Sequence, residues 1–545
     1  MSAEVNNTVS FYKTEKGIGS WLYTTDHKRI AIMYLAAIIL FFLVGMTLGL
    51  LMRLEVAFSG KTIFDAQTYN SVFTLHGVIM VFLVIIPGIP AVFGNFFLPI
   101  QIGADDVSFP RINMLSFYLY VLGGLIAIYS IVIGMLNGGV GIIDTGWTFY
   151  VPYSLTTTTS VDLPLFAAFL LGFSSILTGM NFVSTIHRMR APGMDMFKMP
   201  LFCWGLYSTA WIQVLATPII GITIVLVLLE RFIHIGIFDP NLGGDPVLFQ
   251  HMFWIYSHPA VYIMVIPAMG LVSDILATFA RRQIFGYKIM AISSMAIALV
   301  GYFVYAHHMF TSGMNDTAKV IFSFFTFMVA VPTGVKIFNW VATMYKGSMD
   351  MKSPLLFVFA FIFIFSIGGL TGLFLGALQT DIHLHDTYFV VAHFHYVMFG
   401  GGIFIFFAGL HYWFPKMFGK MYNEGVAKLV VLLLFVGFNT LYFPMFIMGY
   451  NGMPRRYYES LPEYLPLHKL STLGALILVS GVLIMVTNLI YALYKGKKAE
   501  DNPWNSLTLE WTHTQTPPTI YNFNEAPSVT AGPYDYPDFS EEGGH

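Results

Sequence analysis

Residues 381–413 read DIHLHDTYFVVAHFHYVMFGGGIFIFFAGLHYW, an apolar stretch of membrane-spanning length with histidines in its first half. Such a run predicts a transmembrane helix, where ionisable side chains are costly enough to indicate a functional site. His393 and His395 are two residues apart and, at about 100° per residue, face opposite sides of that helix. One helix can therefore offer imidazole to two metal centres, and histidines that only hydrogen-bond neighbouring helices are the alternative.

The composition of the chain is that of a polytopic membrane protein. Of its 545 residues, 56% are hydrophobic and only 10% charged, and the mean hydropathy is +0.70. A net charge of -2 gives no indication of a nucleic-acid partner. The single cysteine, Cys203, excludes an internal disulfide, a thiolate-paired copper centre and a CxxCH haem attachment within this chain.

Hydropathy predicts an all-α integral membrane protein with one twelve-helix domain over residues 1–498 and a polar cytoplasmic tail over residues 499–545. The tail is predicted to lie on the surface or to be partly disordered. Lysine and arginine are concentrated on the side of the N-terminus, which predicts that both termini are cytoplasmic. The predicted spans are 30–52, 73–98, 113–136, 163–182, 201–229, 249–279, 288–310, 320–344, 355–377, 388–411, 428–450 and 471–494.

Four of the other histidines within predicted spans are candidate metal ligands. His258 and Tyr262 are four residues apart and share a helix face, and the adjacent His307 and His308 must each find a partner after losing water. These three imidazoles suit copper or zinc, although a hydrolytic zinc site gives no reason for nearby haem ligands. His76 alone is more often an inter-helix hydrogen-bond partner than a ligand, but paired with His393 or His395 it can complete a six-coordinate haem.

Several polar side chains outside this set allow two interpretations each. Lys336 lies deep in an apolar run, at a cost of roughly 2.5–3.5 kcal/mol, and needs a hydrated path or a way to reach the interface. Asp106 is either a solvated loop charge or the mouth of a proton path. His385 and Asp386 suit a hard cation at the interface. Arg455 and Arg456 are either surface charges or a clamp for carboxylates such as haem propionates.

From about Asp26 to Tyr458 the chain resembles subunit I of the haem-copper oxygen reductases, the cytochrome c oxidase family. The resemblance is carried by HDTYFVVAHFH, YAHHMF, SHPAVY, VPTGVK and MPRRY, which occur in the family's order. It implies that the bundle holds two haems and one copper ion. The implied ligands are His76 and His395 for the low-spin haem, His393 for the high-spin haem, and His258, His307 and His308 for copper, with Tyr262 cross-linked to the ligand equivalent to His258.

The same resemblance implies roles for the remaining polar residues. His385 and Asp386 match magnesium ligands at the subunit interface, Arg455 and Arg456 match the propionate clamp, and Arg53 matches the arginine that meets the formyl group of haem A. One implied proton path comprises Lys336, Thr333, Ser273 and Tyr262, and the other comprises Asp106, Asn95, Asn113, Ser174, Ser175 and Asn181.

One position departs from the family's best-known members. They have glutamate at the third position of the HPxVY motif, where this chain has Ala260. Tyr256 lies one turn before Ala260 on the same helix face, so its hydroxyl can reach the space of the missing carboxyl. We expect Tyr256 and Ser257 to carry protons there, as a YSHPxVY variant of the family does by resemblance.

The expected function is that of a terminal oxidase in a bacterial-type inner membrane. It reduces dioxygen to water with electrons from cytochrome c, takes protons from the cytoplasm and pumps additional protons. Expected partners are subunit II, with the copper site that receives electrons, subunit III and membrane lipids. A quinol-oxidising relative is the first alternative, and a nitric oxide reductase-like enzyme is the second. Nitric oxide reductases lack the tyrosine after HPxV and the lysine path, and a secondary transporter would not need six histidines at metal spacings.

Overall fold

The computed structural model describes residues 9–14, 16–136 and 141–537, so the ends of the predicted domain and tail lie outside it. Within this part of the chain, twelve helices are long and apolar enough to cross a membrane. We number them in order: α1 His27–Glu55, α2 Ala66–Gln101, α3 Pro110–Leu136, α4 Asp162–Arg188, α5 Leu201–Ile233, α6 Pro246–Ala280, α7 Tyr287–Met309, α8 Asp316–Met344, α9 Ser353–Gly376, α10 Tyr388–Phe418, α11 Glu424–Tyr450 and α12 Pro462–Lys495.

The predicted all-α membrane architecture is confirmed, with a helix at every predicted span. Most helices begin or end several residues beyond the apolar run because hydropathy marks only the lipid-facing part, whereas a helix continues to its capping residue. The Asp65 side chain accepts a hydrogen bond from the Thr68 amide at 2.7 Å and starts α2 seven residues before the predicted span. Asp26 caps α1 in the same way, at 2.7 Å from the Lys28 amide.

The histidine-bearing helices lie at the centre of the bundle, and their backbones depart locally from the α-helix. α6 is buried along most of its length and contains Pro259 and Pro267. α2 widens into π-helical turns at Ile79–Ile85 and Gly88–Gly94, and α10 does so at Phe399–Ile403. Such turns are frequent at functional sites because they change the direction in which a side chain leaves the helix. By contrast, few residues of α8 are fully buried.

The C-terminal segment, described over residues 499–537, packs across one end of the bundle. Glu510 and Trp511 are 0% and 1% exposed, and the Glu510 carboxylate accepts a hydrogen bond from Gln101 of α2 at 2.9 Å. Asn522 accepts a hydrogen bond from Lys28 of α1 at 2.8 Å. The Phe11 amide donates to the Pro518 carbonyl, so the chain's two terminal regions meet at this end. In these residues the polar tail is an integral layer of the fold.

Candidate functional site

A cavity of about 880 Å³ lies inside the bundle between the central helices. The six histidines singled out in the sequence line this single cavity: His76, His258, His307, His308, His393 and His395. They come from α2, α6, α7 and α10, and the space between them exceeds what side chains alone fill. The tertiary structure therefore brings together the six histidines that the sequence could identify only as separate candidate ligands.

Three of the imidazoles form a compact cluster on one wall of the cavity. Ring nitrogens of His258, His307 and His308 lie within 4.8 Å of one another, and His258 Nδ1 is 3.2 Å from His308 Nε2. In the described residues this is the one group of three or more histidine, cysteine or acidic side chains with metal-binding spacing. Three imidazoles converging in a buried site suit a transition-metal cation.

Neighbouring side chains orient the rings of this cluster. The Trp254 ring stacks on His308 at 3.7 Å with 9° between their planes, and the Thr326 hydroxyl lies 3.1 Å from His307 Nδ1. Trp254 is itself held by a 2.6 Å hydrogen bond from its indole N–H to the Tyr150 hydroxyl. Such supporting contacts fix ring orientation before a metal binds.

Tyr262 lies beside the cluster, one helical turn after His258. Its ring centroid is 4.9 Å from that of His258, and the two planes are 74° apart. The Nε2 atom of His258 is buried without a hydrogen-bond partner among the described residues, although the other ring nitrogen faces His308. The ring nitrogen of His258 that does not face His308 is therefore unsatisfied, and the Tyr262 ring lies close to the His258 ring.

His76 and His395 each use one ring nitrogen to bond a backbone carbonyl. His76 Nδ1 donates to the Gly45 carbonyl at 2.8 Å, and His395 Nδ1 donates to the Val391 carbonyl at 2.8 Å. This leaves Nε2 of each ring as the nitrogen available for a ligand bond. The His395 ring also stacks on Tyr442 at 4.2 Å, which limits its rotation.

His393 leaves α10 in a different direction from His395, as the spacing predicted. Its Nδ1 atom lies 3.2 Å from the Thr371 hydroxyl on α9, whereas His395 packs on α11. A Cβ atom on Gly372 would lie 3.0 Å from His393 Cε1, and one on Gly49 would lie 3.0 Å from His76 Cε1. Both glycines therefore leave room for an imidazole that a larger residue would displace.

The guanidinium groups and interfacial acids predicted from the sequence lie at one end of the cavity. Arg455 donates to Asp386 through Nε at 2.7 Å, and His385 Nδ1 lies 2.9 Å from Asp381. Burial acts to raise the pKa of Asp386, but the charges of Arg455, His385 and Arg456 outweigh it and hold that pKa below its ordinary value. Asp386 is therefore an anion with one oxygen uncommitted to Arg455.

Arg53 lines the cavity from α1 and bonds His468, which the sequence did not single out. Its Nη2 atom donates to the His468 carbonyl at 3.0 Å and lies 3.1 Å from His468 Nδ1. His468 is fully buried near the start of α12. In the sequence, His468 could be noticed only as a histidine in the apolar segment after MPRRY. Nothing in its spacing connects it with Arg53.

Comparison with known proteins identifies this arrangement. The family model described as "Cytochrome C and Quinol oxidase polypeptide I" matches residues 29–499. The chain belongs to this haem-copper oxidase family. It is 43% identical to cytochrome c oxidase subunit 1 of Synechocystis sp. over 98% of this chain and 96% of that one. It is 40% identical to the Cereibacter sphaeroides protein of the same name, over 93% and 95%.

A solved structure of a heme-copper terminal oxidase dimer has the same fold. Its TM-score is 0.74 at 22% identity, covering 86% of this chain and 84% of that chain. The predicted family and the predicted enzyme class, a respiratory oxidoreductase subunit, are confirmed. The chain is therefore subunit I of a multi-pass membrane oxidase, for which haems, copper and partner subunits such as subunit II are expected.

The lysine of the predicted proton path is fully buried in this oxidase subunit. Lys336 Nζ donates to the Ser294 hydroxyl at 2.8 Å and to the Met290 carbonyl at 3.1 Å, both on α7. Thr333, one turn earlier on α8, lines the cavity, whereas Ser273 accepts a hydrogen bond from Trp340 at 2.9 Å. Ser294 was missed because serine in an apolar helix gives no sequence signal.

The residues predicted for the second path lie on α2, α3 and α4 and, for Asp106, in the loop between α2 and α3. Burial raises the pKa of Asp106 to about 7, although the Val107 N–H bonds its carboxylate. Both side-chain atoms of Asn113, Oδ1 of Asn95 and Oγ of Ser175 are buried without a partner among the described residues. Asn181 instead accepts a hydrogen bond from the Phe109 amide at 2.9 Å.

A hydroxyl network that includes Ser174 adds two residues to this region that the sequence did not single out. The Ser116 hydroxyl donates to the Ser174 carbonyl at 2.8 Å, and the Tyr34 hydroxyl lies 3.1 Å from Ser116 Oγ. Tyr34 and Ser116 come from α1 and α3, so three helices contribute. Tyr34 and Ser116 have no distinguishing sequence context in their own helices. Only their contact with each other and with Ser174 in the folded chain identifies them as a network.

Tyr256 and Ser257 lie on α6 away from the cavity lining. Both are buried, at 3% and 2% exposure, and Ala260 is 3% exposed. The Ser257 hydroxyl has no hydrogen-bond partner among the described residues. Their participation in proton transfer therefore stays a prediction, which the unpaired hydroxyl supports.

Proposed function

We propose that this subunit reduces dioxygen to water in a bacterial-type inner membrane, with electrons from cytochrome c and protons from the cytoplasmic side. The observation that carries the proposal is the single cavity in which His393 and the three-imidazole cluster accompany His76 and His395. Subunit II, holding the copper that receives electrons, subunit III and surrounding lipids are the proposed partners. Both termini are proposed to be cytoplasmic.

The proposed ligand sets follow from which ring nitrogens are available. His76 and His395, each with Nδ1 bonded to a carbonyl, would bind the low-spin haem iron through Nε2. His393 would bind the high-spin haem iron, and His258, His307 and His308 would bind copper. When bound, these groups supply electron transfer and the site where dioxygen is reduced.

The chain's own residues would hold the cofactors and supply protons. Arg455 and Arg456 line one end of the cavity, where guanidinium groups suit haem propionates. Arg53, which lines the cavity from α1, is proposed to meet the formyl group of haem A. His385 and the uncommitted oxygen of Asp386 suit magnesium, with Arg455 occupying the other oxygen.

Tyr262 is proposed to deliver a proton from its hydroxyl to the reduction site. Its ring lies 4.9 Å from His258, and the unpartnered Nε2 of His258 fits the covalent bond that the family resemblance implies between these residues. Reduction of dioxygen to water consumes electrons and protons in equal number, so Tyr262 must be reprotonated. Lys336, Thr333 and Ser273 are proposed to do so.

The Asp106 path is proposed to supply further protons, including those that are pumped. Asp106, with its pKa raised by burial to about 7, suits the mouth of the path, and Asn95, Asn113, Ser174, Ser175 and Asn181 suit its interior. Tyr256 and Ser257 are proposed to take over the role of the glutamate that well-known family members have at the position of Ala260.

The experiment is oxygen uptake and proton release by the purified complex in sealed vesicles supplied with reduced cytochrome c. Uptake with outside acidification supports the whole proposal. Uptake without acidification contradicts pumping but not oxygen reduction. No uptake with cytochrome c, but uptake with a quinol, favours the quinol donor, an alternative that the family description includes.

A pair of histidine variants tests the cavity assignment in the same assay. His307→Ala removes one member of the three-imidazole cluster and should abolish oxygen uptake with loss of copper. His187→Ala is the matched control because His187 is exposed and its Nε2 bonds only the Tyr207 hydroxyl, at 3.0 Å. Equal copper content and activity in the two variants would contradict the assignment.

A further inference from the structure

Three polar atoms are buried without partners where α4 packs against α5. They are Ser175 Oγ on α4 and Gln213 Oε1 and Thr217 Oγ1 on α5, and none has a hydrogen-bond partner among the described residues. The three residues are 8%, 2% and 1% exposed. Unpaired polar atoms in a membrane interior are costly, so their retention requires a ligand or a function. We call these three residues the seam site.

Close approach of the two helices places the three residues together. A Cβ atom on Gly172 of α4 would lie 3.3 Å from Thr217 Cγ2. A Cβ atom on Gly179 would lie 2.9 Å from Gln213 Cβ and 3.3 Å from its Oε1. Ser175 lies three residues after Gly172 and four before Gly179, so it occupies the same face of α4. It therefore lies along the seam between Thr217 and Gln213.

The hydroxyl of Thr217 is not used by its own helix. Threonine and serine in helices commonly bond the carbonyl four residues earlier, as Thr223 does with Ile219 at 2.8 Å in the same helix. Thr217 makes no such bond. Pro218 has no N–H, so the Val214 carbonyl lacks its usual helical donor at the same level. The seam therefore presents both donors and acceptors.

The register of α5 against α6 places Tyr256 at the same level along the helix axes as this seam. A Cβ atom on Gly205 would lie 2.9 Å from the Ile266 carbonyl, and one on Gly270 would lie 2.5 Å from the Leu201 carbonyl. Because the helices are antiparallel, this register sets Tyr256 level with residue 215, between Gln213 and Thr217. The adjacent Ser257 hydroxyl is also buried without a described partner.

On α4 the seam adjoins the hydroxyl network of α1, α3 and α4. Ser174 precedes Ser175 directly, and its hydroxyl donates to the Ser116 carbonyl at 2.8 Å. The unpartnered side-chain atoms of Asn113 lie on α3, in the region proposed to lead from Asp106. Polar groups thus occur on two faces of α4, one in that network and one at the seam site.

We propose that Ser175, Gln213 and Thr217 bind water and relay protons from the Asp106 region to Tyr256 and Ser257. The inference rests on the proposed function of that path. Water is the ligand because each molecule can donate and accept hydrogen bonds and needs several polar partners in a buried site. Each hydroxyl or water gives up one proton as it accepts another, so the relay leaves the site unchanged.

Variants that separate the hydroxyl from the shape of the side chain test this relay. Thr217→Val keeps the shape and removes the hydroxyl, whereas Thr217→Ser keeps the hydroxyl and removes a methyl group. We expect oxygen uptake and proton release in vesicles to fall about tenfold or more in Thr217→Val and in Gln213→Leu, and to stay near wild type in Thr217→Ser. Thr223→Val is the matched control because that hydroxyl bonds its own helix.

The outcomes distinguish the relay from a structural role and from failure of the proposed function. If Thr217→Ser loses oxygen uptake and proton release while Thr217→Val retains them, Thr217 serves helix packing and the relay is overturned. Normal proton release in Gln213→Leu and Thr217→Val also overturns it. A wild-type enzyme without oxygen uptake overturns the proposed function instead. An experimental map that shows other buried waters but none at Ser175, Gln213 and Thr217 contradicts the inference without reference to activity.

Discussion

The two groups of residues proposed to carry protons are built differently. Lys336 is a single buried amine inside the bundle, and two groups of α7 accept its hydrogen bonds at 2.8 and 3.1 Å. Asp106 lies outside the spanning helices, and several polar atoms between it and the interior have no described partner. The lysine region is thus locally satisfied, whereas the aspartate region needs water to satisfy it. We expect proton transfer through the lysine region to depend on one residue and proton transfer through the aspartate region to depend on several.

The largest effect is expected from Lys336→Met, which preserves length but removes the amine. If protons for Tyr262 pass this residue, turnover should fall by about 100-fold or more, as when an essential acid or base is lost. Oxygen uptake of the purified complex measures this. Lys346→Met, a change at an exposed position just after α8, should leave turnover unchanged. Equal turnover in both variants would remove Lys336 from the proposed path.

A smaller effect is expected from Asp106→Asn because several groups share this region. Turnover should fall about tenfold, and proton release per oxygen consumed should fall further. Asp105→Asn changes the exposed neighbouring carboxylate and is the control. An equal decrease of turnover in both variants would indicate a general effect of charge in this loop and would contradict a specific role of Asp106 at the entrance of the path.

The pH dependence of turnover sharpens the assignment of Asp106. Burial raises the pKa of Asp106 to about 7, so the carboxyl that must hold a proton before passing it inward loses that proton as pH rises. Above this pH the protonated fraction falls about tenfold per unit, and turnover should decline on the alkaline side. Asp106→Asn should lack this decline, and an identical alkaline decline in the variant would assign it to another group.

The smallest effect is expected where the tail holds the Asp106 loop. The Asn522 amide donates to the Ala104 and Asp105 carbonyls at 2.9 Å each and accepts from Lys28 at 2.8 Å. Asn522→Ala leaves these buried groups unpaired and should destabilise this end by about 1–3 kcal/mol. The temperature of half-inactivation should fall relative to wild type and to Asn524→Ala, a change at an exposed tail residue. Unchanged inactivation would show that these bonds contribute little.

Sequence reasoning was most successful where a residue type is rare in its environment. Histidine and lysine within apolar runs are conspicuous, so His307, His308 and Lys336 could be singled out from the chain alone. Ser294, Tyr34 and Gln213 could not, because hydroxyls and amides are common in membrane helices and gain meaning only from what they face. Their partners come from helices distant in sequence.

The tail shows the same limit at the level of the fold. Its polar composition predicted a surface or partly disordered segment, but Glu510 and Trp511 are buried against the bundle. Composition describes the average preference of a segment, whereas burial depends on complementary groups such as Gln101 on α2. A polar residue can be buried when a partner from another element satisfies it.

The sequence by itself determined the membrane class, the twelve helices and six histidines as candidate metal ligands. Apolar length, helical period and the free-energy cost of burying an imidazole are properties of a local stretch of chain, so they can be read without the fold. Only the tertiary structure decided that these histidines share one cavity, which ring nitrogen of His76 and His395 is free, and that the α4 face carrying Ser175 packs on Gln213 and Thr217. Those relations depend on the register and contact of helices far apart along the chain, which no local pattern encodes.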